Sequence, residues 1–178
     1  MYEDVLHFWF EEIEPALWWK KDAEFDQQIT QRFSALHTSA CRCELFAWRT
    51  TPKGRLAEII VLDQFSRNMF RDSPLAFAND PLALALAQEA IAIGADQQLT
   101  PVERSFLYLP FMHSESLMIH EQAVLLYEKN GLANNLDFEI KHKNIIERFG
   151  RYPHRNKVLG RESTAEEVEF LKLPGSGF

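Results

Sequence analysis

Signals for the start and the end of α-helices recur along almost the whole chain, and they constrain its fold more than any other feature. Three prolines mark expected helix starts, at Thr51-Pro52, Asp80-Pro81 and Thr100-Pro101, with Thr51 and Thr100 as the expected caps. Three glycines stand where helices are expected to stop: Gly94, Gly131 and Gly150. Between these signals the apolar residues recur every three or four positions, and none of the segments alternates with the period of a strand. The sequence therefore predicts an all-α fold.

The spacing of these signals predicts seven to nine helices in antiparallel pairs, because the connections between them are short. Asp22 is the expected cap of one helix, and the segment from Pro52 to about Phe70 is apolar nearly all round, which is typical of a buried central helix. A single helix is predicted over 111–130, and another over 137–149. Successive helix pairs of this length are typical of a tetratricopeptide-like array, and with no linker in the sequence we expect one domain over residues 1–178.

The bulk composition excludes several classes of protein. Hydrophobic residues make up 46 % of the 178 positions, too many for a disordered chain. No run of apolar residues is long enough to cross a membrane, and the acidic start is unlike a signal peptide, so we expect a cytoplasmic protein with no membrane partner. Cys41 and Cys43 are interpreted as reduced thiols on a helix, with neither a disulfide nor a zinc site between them.

The most basic part of the chain is the segment 141–161. It contains seven Lys or Arg and one Glu, whereas the rest of the chain has 12 basic and 25 acidic residues. Gly150, Pro153 and Gly160 give its second half the features of a loop with a defined shape. A local reversal of charge in an acidic protein indicates a site for an anion such as a carboxylate or a phosphate, which guanidinium groups bind bidentately. The candidate ligand-binding residues of the segment are Arg148, Arg151, His154, Arg155, Asn156 and Arg161.

The alternative interpretation of this basic segment is structural. Arginines are also used to tie a loop to acidic helices by salt bridges, and a buried loop needs many donors to satisfy its own carbonyl groups. The sequence leaves both interpretations open.

A second group of polar residues lies towards the end of the predicted central helix. Asp63 and Arg67 are four residues apart and are predicted to pair on one helix face, and Gln64 and Asn68 repeat that spacing beside them. Polar side chains on an otherwise apolar helix are costly unless they have partners. They therefore either form a buried network or line a cleft, and we assign Arg67 to the same anion site.

A third group contains His113 and Glu115. Both residue types bind metals, but two residues apart on a helix means about 200° around its axis, so the two would face opposite ways. We therefore predict no metal and no cofactor. His113, Glu115, His154 and Asp63 remain as weak candidates for acid–base catalysis, since the sequence offers no recognisable nucleophile.

These three groups, in this order, resemble the family called domain of unknown function 924, which is largely bacterial. The resemblance covers nearly the whole chain, and a serine at position 66 replaces a more usual proline. The family's patterns correspond to Leu62-Asp63-Gln64-Phe65 with Asn68, Ala76-Phe77-Ala78 with Asp80, the segment 107–115, the segment 148–156, and Leu159-Gly160-Arg161. The resemblance implies an all-α, tetratricopeptide-like fold, and it implies no activity, because the family is named for the lack of one.

Three hypotheses for function follow, in order of preference. The first is a binding module whose C-terminal loop captures an anionic small molecule or a peptide carboxylate. The second is an enzyme that uses His and Glu side chains on an anionic substrate. The third is a structural or assembly role. Nucleic acid is disfavoured, because the basic segment offers only Phe149 and Tyr152 for stacking, and no feature specifies an oligomeric state.

Overall fold

The computed structural model describes residues 1–177. All the regular secondary structure in that range is α-, π- or 3-10-helical, with no strand among the described residues. The predicted all-α class is confirmed, whereas the tetratricopeptide-like arrangement stays a prediction. The α-helices in the described range are α1 (Tyr2–His7), α2 (Ala23–Cys41), α3 (Pro52–Ile60), α4 (Ser66–Met69), α5 (Asp80–Ala92), α6 (Pro101–Met112), α7 (Leu117–Asn130), α8 (Ala133–Phe149) and α9 (Ala165–Phe170).

The centre of the fold is the rod formed by α3, a π-helical turn at Val61–Phe65, and α4. Residues 56–66 are all buried, as the apolar character of this segment predicts. Helices α1, α2, α5 and α6 pack around the rod, and α7 and α8 continue the stack beyond α6. The π-helical turn contains Asp63, and such turns are frequent at functional sites.

An aromatic cluster fills the core between the N-terminal segment and the rod. The indole ring of Trp9 is buried among Phe25, Phe65 and Phe106, with ring centroids 5.6 to 6.1 Å apart. Aromatic pairs at such distances contribute beyond the area that they bury. This cluster therefore helps to fix the N-terminal segment and α2 against the rod and α6.

The caps lie where the sequence places them. The Asp22 side chain accepts hydrogen bonds from the backbone N–H groups of residues 24 and 25, and Thr100 forms a capping box with Glu103. Gly94, Gly131 and Gly150 follow helix ends in the left-handed conformation, with φ of 71°, 79° and 68°. These positive φ values are the reason that glycine ends α5, α7 and α8.

The prediction of one helix over 111–130 is wrong. Helix α6 continues through Pro110 and ends at Met112, and α7 begins only at Leu117. The carbonyl group of Met112 accepts a hydrogen bond from the Tyr152 hydroxyl at 2.5 Å, and that of Ser114 accepts one from His120 Nε2 at 2.8 Å. Side chains distant in sequence thus satisfy carbonyl groups at this corner, which local periodicity cannot reveal.

Two smaller boundaries also differ from the predictions. Helix α8 begins at Ala133, four residues before the predicted start at Asp137. Cys43 lies beyond the end of α2, with a positive φ of 58°, so the two cysteines do not share a helix. Among residues 1–177, none of the helices combines the length and the hydrophobicity needed to cross a membrane.

Candidate functional site

Five charged or titratable side chains meet where α4, the start of α5, the end of α6 and the C-terminal loop come together. We call Asp63, Arg67, Asp80, His113 and Arg155 the ionic cluster. Its members come from four separate segments, so only the folded chain assembles it. Three of them, Asp63, Arg67 and His113, belong to the second and third groups of the sequence analysis, and Arg155 belongs to the first.

Asp63 is the centre of the ionic cluster and is 1 % exposed. Its Oδ1 lies 2.8 Å from His113 Nδ1 and 3.1 Å from Arg67 Nη1, and its Oδ2 accepts a hydrogen bond from the Gln64 amide at 2.6 Å. Burial works to raise the pKa of Asp63, but Arg67 and His113 outweigh it and hold that pKa below its usual value. The predicted Asp63–Arg67 pair is therefore present, and the carboxylate stays charged.

Arg67 joins Asp63 to Asp80. Its Nη1 and Nη2 each lie 2.9 Å from one carboxylate oxygen of Asp80, and Nη1 also donates to the Asp63 carbonyl oxygen at 3.0 Å. This is a bidentate ion pair, the strongest form that the two side chains adopt. Both oxygens of Asp80 are consequently engaged before Arg155 is considered.

Arg155 is the least satisfied member of the ionic cluster. Its side chain is 7 % exposed, its Nη1 lies 3.4 Å from the Asp80 carboxylate, and its Nε is buried with no hydrogen-bond partner among residues 1–177. The guanidinium lies 4.5 Å from the ring centre of Phe77 and 4.6 Å from that of Tyr152. Burial and the neighbouring Arg67 lower the pKa of Arg155, which records how poorly its charge is compensated.

His113 forms a dyad with Asp63. Burial and Arg67 lower the pKa of His113, so its imidazole is neutral at pH 7. Because the Asp63 carboxylate only accepts, His113 Nδ1 carries the proton and donates it to Asp63. The lone pair of Nε2 is then available, since none of the described side chains bonds to that nitrogen. This is the tautomer that a general base needs.

The other arginines of the basic segment hold carboxylates of this same chain. Arg151 binds Glu167 through two hydrogen bonds of 2.7 and 2.8 Å, and Arg161 binds Glu115 through two of 2.6 and 2.9 Å. Arg148 pairs with Glu166 at 2.8 Å on the exposed surface. These contacts favour the structural interpretation for the three arginines.

Asn156 and Glu115 hold the loop in place. Asn156 is fully buried, donates to Ser163 Oγ at 3.1 Å and accepts from Arg161 Nε at 3.0 Å. Glu115 accepts the backbone N–H of Tyr152 at 2.7 Å, and Arg161 lowers its pKa against the effect of burial. His113 and Glu115 both lie between α6 and α7, so helix geometry does not decide whether they could share a metal ion. They have different partners, because His113 contacts Asp63 whereas Glu115 contacts Arg161.

A second buried polar group surrounds Tyr152. His154 lies 5.5 Å from its ring, and His142 lies 5.7 Å from it. Burial lowers the pKa of His154 to about 4 and that of His142 to about 3. His154 is therefore a neutral, half-buried side chain near the ionic cluster.

Next to Tyr152 is a fully buried pair in which His120 Nδ1 lies 2.7 Å from Glu139 Oε1. His120 Nε2 must carry a proton, because it donates to the Ser114 carbonyl group at 2.8 Å. A second proton must lie between His120 Nδ1 and Glu139 Oε1, because two lone pairs would repel each other at 2.7 Å. The pair has no net charge, whether His120 or Glu139 holds that proton. Burial raises the pKa of Glu139, which fits a shared proton.

Sequence reasoning missed several members of this region. Local sequence patterns mark Asp80 only as a helix start, and they indicate no role for Phe77, His120 or Glu139. Asp80 and Phe77 do lie within the patterns that carry the family resemblance, so that signal was available. Nothing in the local sequence marks Glu139, which lies within an ordinary helical period of α8.

Two surface grooves lie away from the ionic cluster. One of about 250 Å³ lies between α8 and the C-terminal segment, next to Ile145 and Phe170. The other, of about 490 Å³, lies next to Phe46 and Ile93. Among the described residues, no group of three His, Cys, Asp or Glu side chains is arranged to hold a metal ion. We place the candidate site at the ionic cluster because the unsatisfied charge lies there.

The fold and this site define an all-α protein in which a C-terminal loop closes over a buried ionic cluster. Residues 5–175 match the family described as bacterial protein of unknown function (DUF924), and the chain belongs to that family. It is also similar to a solved structure of a protein of unknown function from Agrobacterium tumefaciens, with 41 % identity, 96 % of each chain covered and a TM-score of 0.91. A comparison with curated proteins found no match.

Proposed function

We propose that this protein binds a small anionic group, a carboxylate or a phosphate, at the ionic cluster. The observation that carries the proposal is Arg155, a buried guanidinium with one long hydrogen bond and an Nε that has no partner in the described chain. Removing a cation from water costs several kcal/mol unless good partners replace the water. An acceptor atom on a bound ligand would supply the hydrogen-bond partner that Arg155 Nε lacks among the described residues.

The neighbours of Arg155 suit such a ligand. The Phe77 and Tyr152 rings restrict the guanidinium on its apolar sides, so little conformational freedom is lost when a ligand binds. The side chains of Arg67 and His113 remain 19 % and 14 % exposed, which gives the cluster an open edge. The formal charges of Asp63 and Asp80 equal those of the two arginines, although both carboxylates pair mainly with Arg67. A bound anion therefore favours protonation of His113, and binding should tighten as pH falls.

Arg155→Met is expected to abolish anion binding without loss of stability. Wild type should gain about 2.7 kcal/mol at a hundred times the dissociation constant of a ligand, and the variant should gain nothing. A methionine fills similar space and removes an underpaired charge, so the variant's own stability should be equal or higher. The measurement is thermal unfolding with inorganic phosphate, acetate and a panel of phosphorylated metabolites at pH 6 and pH 8.

Arg148→Met is the matched control, since it removes an equal charge from an exposed surface pair. It should keep the ligand-induced shift of wild type, and that shift should be larger at pH 6 than at pH 8. An equal shift in wild type and in Arg155→Met would refute the anion site. A ligand-induced shift that is lost only in Arg148→Met would indicate that the anion binds at the exposed surface near Arg148 and away from the ionic cluster.

The second candidate function is acid–base catalysis at the Asp63–His113 dyad. The observation that favours it is the neutral imidazole whose Nε2 lone pair is available while Asp63 fixes Nδ1. In this hypothesis Arg155 holds the anionic part of a substrate and His113 takes a proton from its reacting part. His113→Gln would then still bind the anion but lose turnover, whereas loss of binding as well would assign His113 to recognition only.

A further inference from the structure

One side of the Arg155 guanidinium has no hydrogen bonds within the described chain. A guanidinium carries the N–H groups of Nε and Nη2 in parallel along one side of its plane, which we call the Nε/Nη2 edge. In Arg155 neither nitrogen has a hydrogen bond among residues 1–177, and Nε is fully buried whereas Nη2 is not. The contact of 3.4 Å with Asp80 comes from Nη1, which lies outside this edge. Two parallel donors therefore lie side by side, and the outer one is accessible to solvent.

Three other arginines of the chain use the same edge to hold a carboxylate. In each of these pairs, Nε and Nη2 bond the two oxygens of one carboxylate at 2.6 to 2.8 Å: Arg49–Glu58, Arg71–Asp26 and Arg151–Glu167. This arrangement fits a planar group with two oxygens. Arg155 offers the donors of a fourth such pair, for which none of the described residues supplies the carboxylate.

The charges around Arg155 favour an anion with a single charge. The formal charges of Arg67 and Arg155 equal those of Asp63 and Asp80, and His113 is neutral. A carboxylate adds one negative charge, whereas a phosphate group on a ligand carries about −1.5 to −2 at pH 7. Charge that is moved from water into a buried site costs free energy unless a partner compensates it. Arg155 compensates one charge, and the cluster has no further underpaired cation for a second.

The aromatic rings beside Arg155 favour the same class of anion. The ring centres of Phe77 and Tyr152 lie 4.5 and 4.6 Å from the guanidinium. The Tyr152 hydroxyl is the one hydrogen-bond donor on these rings, and it donates to the Met112 carbonyl group at 2.5 Å. The Nε/Nη2 edge satisfies both oxygens of a carboxylate, whereas the third oxygen of a phosphate finds no donor on either ring.

We propose that the anion bound at the ionic cluster is a carboxylate, held side-on by Nε and Nη2 of Arg155. This assignment rests on the anion site proposed above and narrows its ligand. The ligand class is small monocarboxylic acids, because the site compensates one charge and offers one pair of parallel donors.

The test follows the Arg155 Nε–H signal in ¹H–¹⁵N NMR spectra of the full-length protein. Arg155→Lys identifies that signal by its loss. Sodium acetate, sodium benzoate and sodium phosphate are titrated separately at pH 7 and constant ionic strength. We expect both carboxylates to move the signal with saturation, at concentrations on the order of tenfold lower than phosphate needs, because phosphate leaves one charge-assisted hydrogen bond unmade. The Nε–H signals of Arg49, Arg71 and Arg151 are internal controls and should not move.

Arg155→Lys also distinguishes a pair of parallel donors from a point charge. Lysine keeps the positive charge but lacks the planar fork. Benzoate binding, measured by calorimetry, should weaken on the order of tenfold, the effect of losing one charge-assisted hydrogen bond. Arg148→Lys is the matched control, since Arg148 lies in an exposed pair with Glu166, and it should bind benzoate as wild type does.

The outcomes separate this assignment from the anion site itself. Phosphate that moves the Arg155 signal at an equal or lower concentration than the carboxylates would overturn the carboxylate assignment and leave the anion site standing. A signal that none of the three anions moves would overturn both. Equal benzoate affinity in wild type and in a folded Arg155→Lys would overturn the side-on arrangement. Should Arg155→Lys fail to fold, Arg155→Met identifies the signal, and the order of the three anions in wild type decides.

Discussion

Replacing Arg67 with methionine is expected to lower the free energy of unfolding by about 3–5 kcal/mol, the usual cost of removing one partner from a buried ion pair. The variant leaves Asp80 with only the long contact to Arg155, and Asp63 with His113 and the Gln64 amide. One fully buried carboxylate and one partly buried carboxylate thus lose their main cation at once. Urea unfolding at pH 7.5, followed by circular dichroism, measures the change.

Arg155→Met is the matched comparison, because it makes the same substitution in the same cluster. We expect the free energy of unfolding to stay equal or to rise by up to about 1 kcal/mol, because Asp80 keeps its bidentate bond to Arg67. Similar losses in the two variants would show that Arg155 is as well paired in solution as Arg67. That outcome would also remove the main support for the anion site.

The folded protein is expected to lose about 4 kcal/mol of stability between pH 6.5 and pH 4.5 through His142 and His154 alone. Burial holds the pKa of His142 at about 3 and that of His154 at about 4, whereas both take up protons near pH 6.5 in the unfolded chain. The unfolded state therefore binds more protons throughout this window, so stability falls as pH falls. Each histidine contributes a slope of up to about 1.4 kcal/mol per pH unit.

His142→Gln isolates one of the two contributions. The slope of unfolding free energy against pH should become smaller by about 1.4 kcal/mol per unit between pH 6 and pH 4.5 in this variant. Glu139 acts in the opposite direction, because its raised pKa favours the folded state as pH falls, and Glu139→Gln should steepen the loss. A slope that is the same in wild type and in His142→Gln would mean that His142 titrates normally in the fold.

The parts of the fold that the sequence predicted well are those decided by neighbouring residues. The caps at Asp22 and Thr100 and the pairing of Asp63 with Arg67 each depend on residues within four positions, and all are confirmed. The corner between α6 and α7 was missed because its hydrogen bonds come from Tyr152 and His120. The same limit applies to the π-helical turn at Val61–Phe65, which no local pattern in this apolar segment predicts.

In the candidate site, too, the sequence predicts what neighbouring residues decide and misses what depends on residues distant in the chain. Charge counting found the basic segment, but a carboxylate of the same chain and one of a ligand attract an arginine equally well. Only the fold brings Glu115 to Arg161 and Glu167 to Arg151, and only it leaves Arg155 without a full partner. The difference between an arginine that holds a loop and one that awaits a ligand is therefore geometric, and composition does not contain it.

The hydrogen bond from Tyr152 to the Met112 carbonyl group also bears on the synthesis of the chain. Helix α6 is made before Tyr152, and Glu115 forms its ion pair with Arg161. Until residue 161 has been made, water is the partner of this carbonyl group and of this carboxylate. The N-terminal helices have their aromatic partners by residue 106 and can pack earlier in translation, whereas this corner forms only after residue 161 is available.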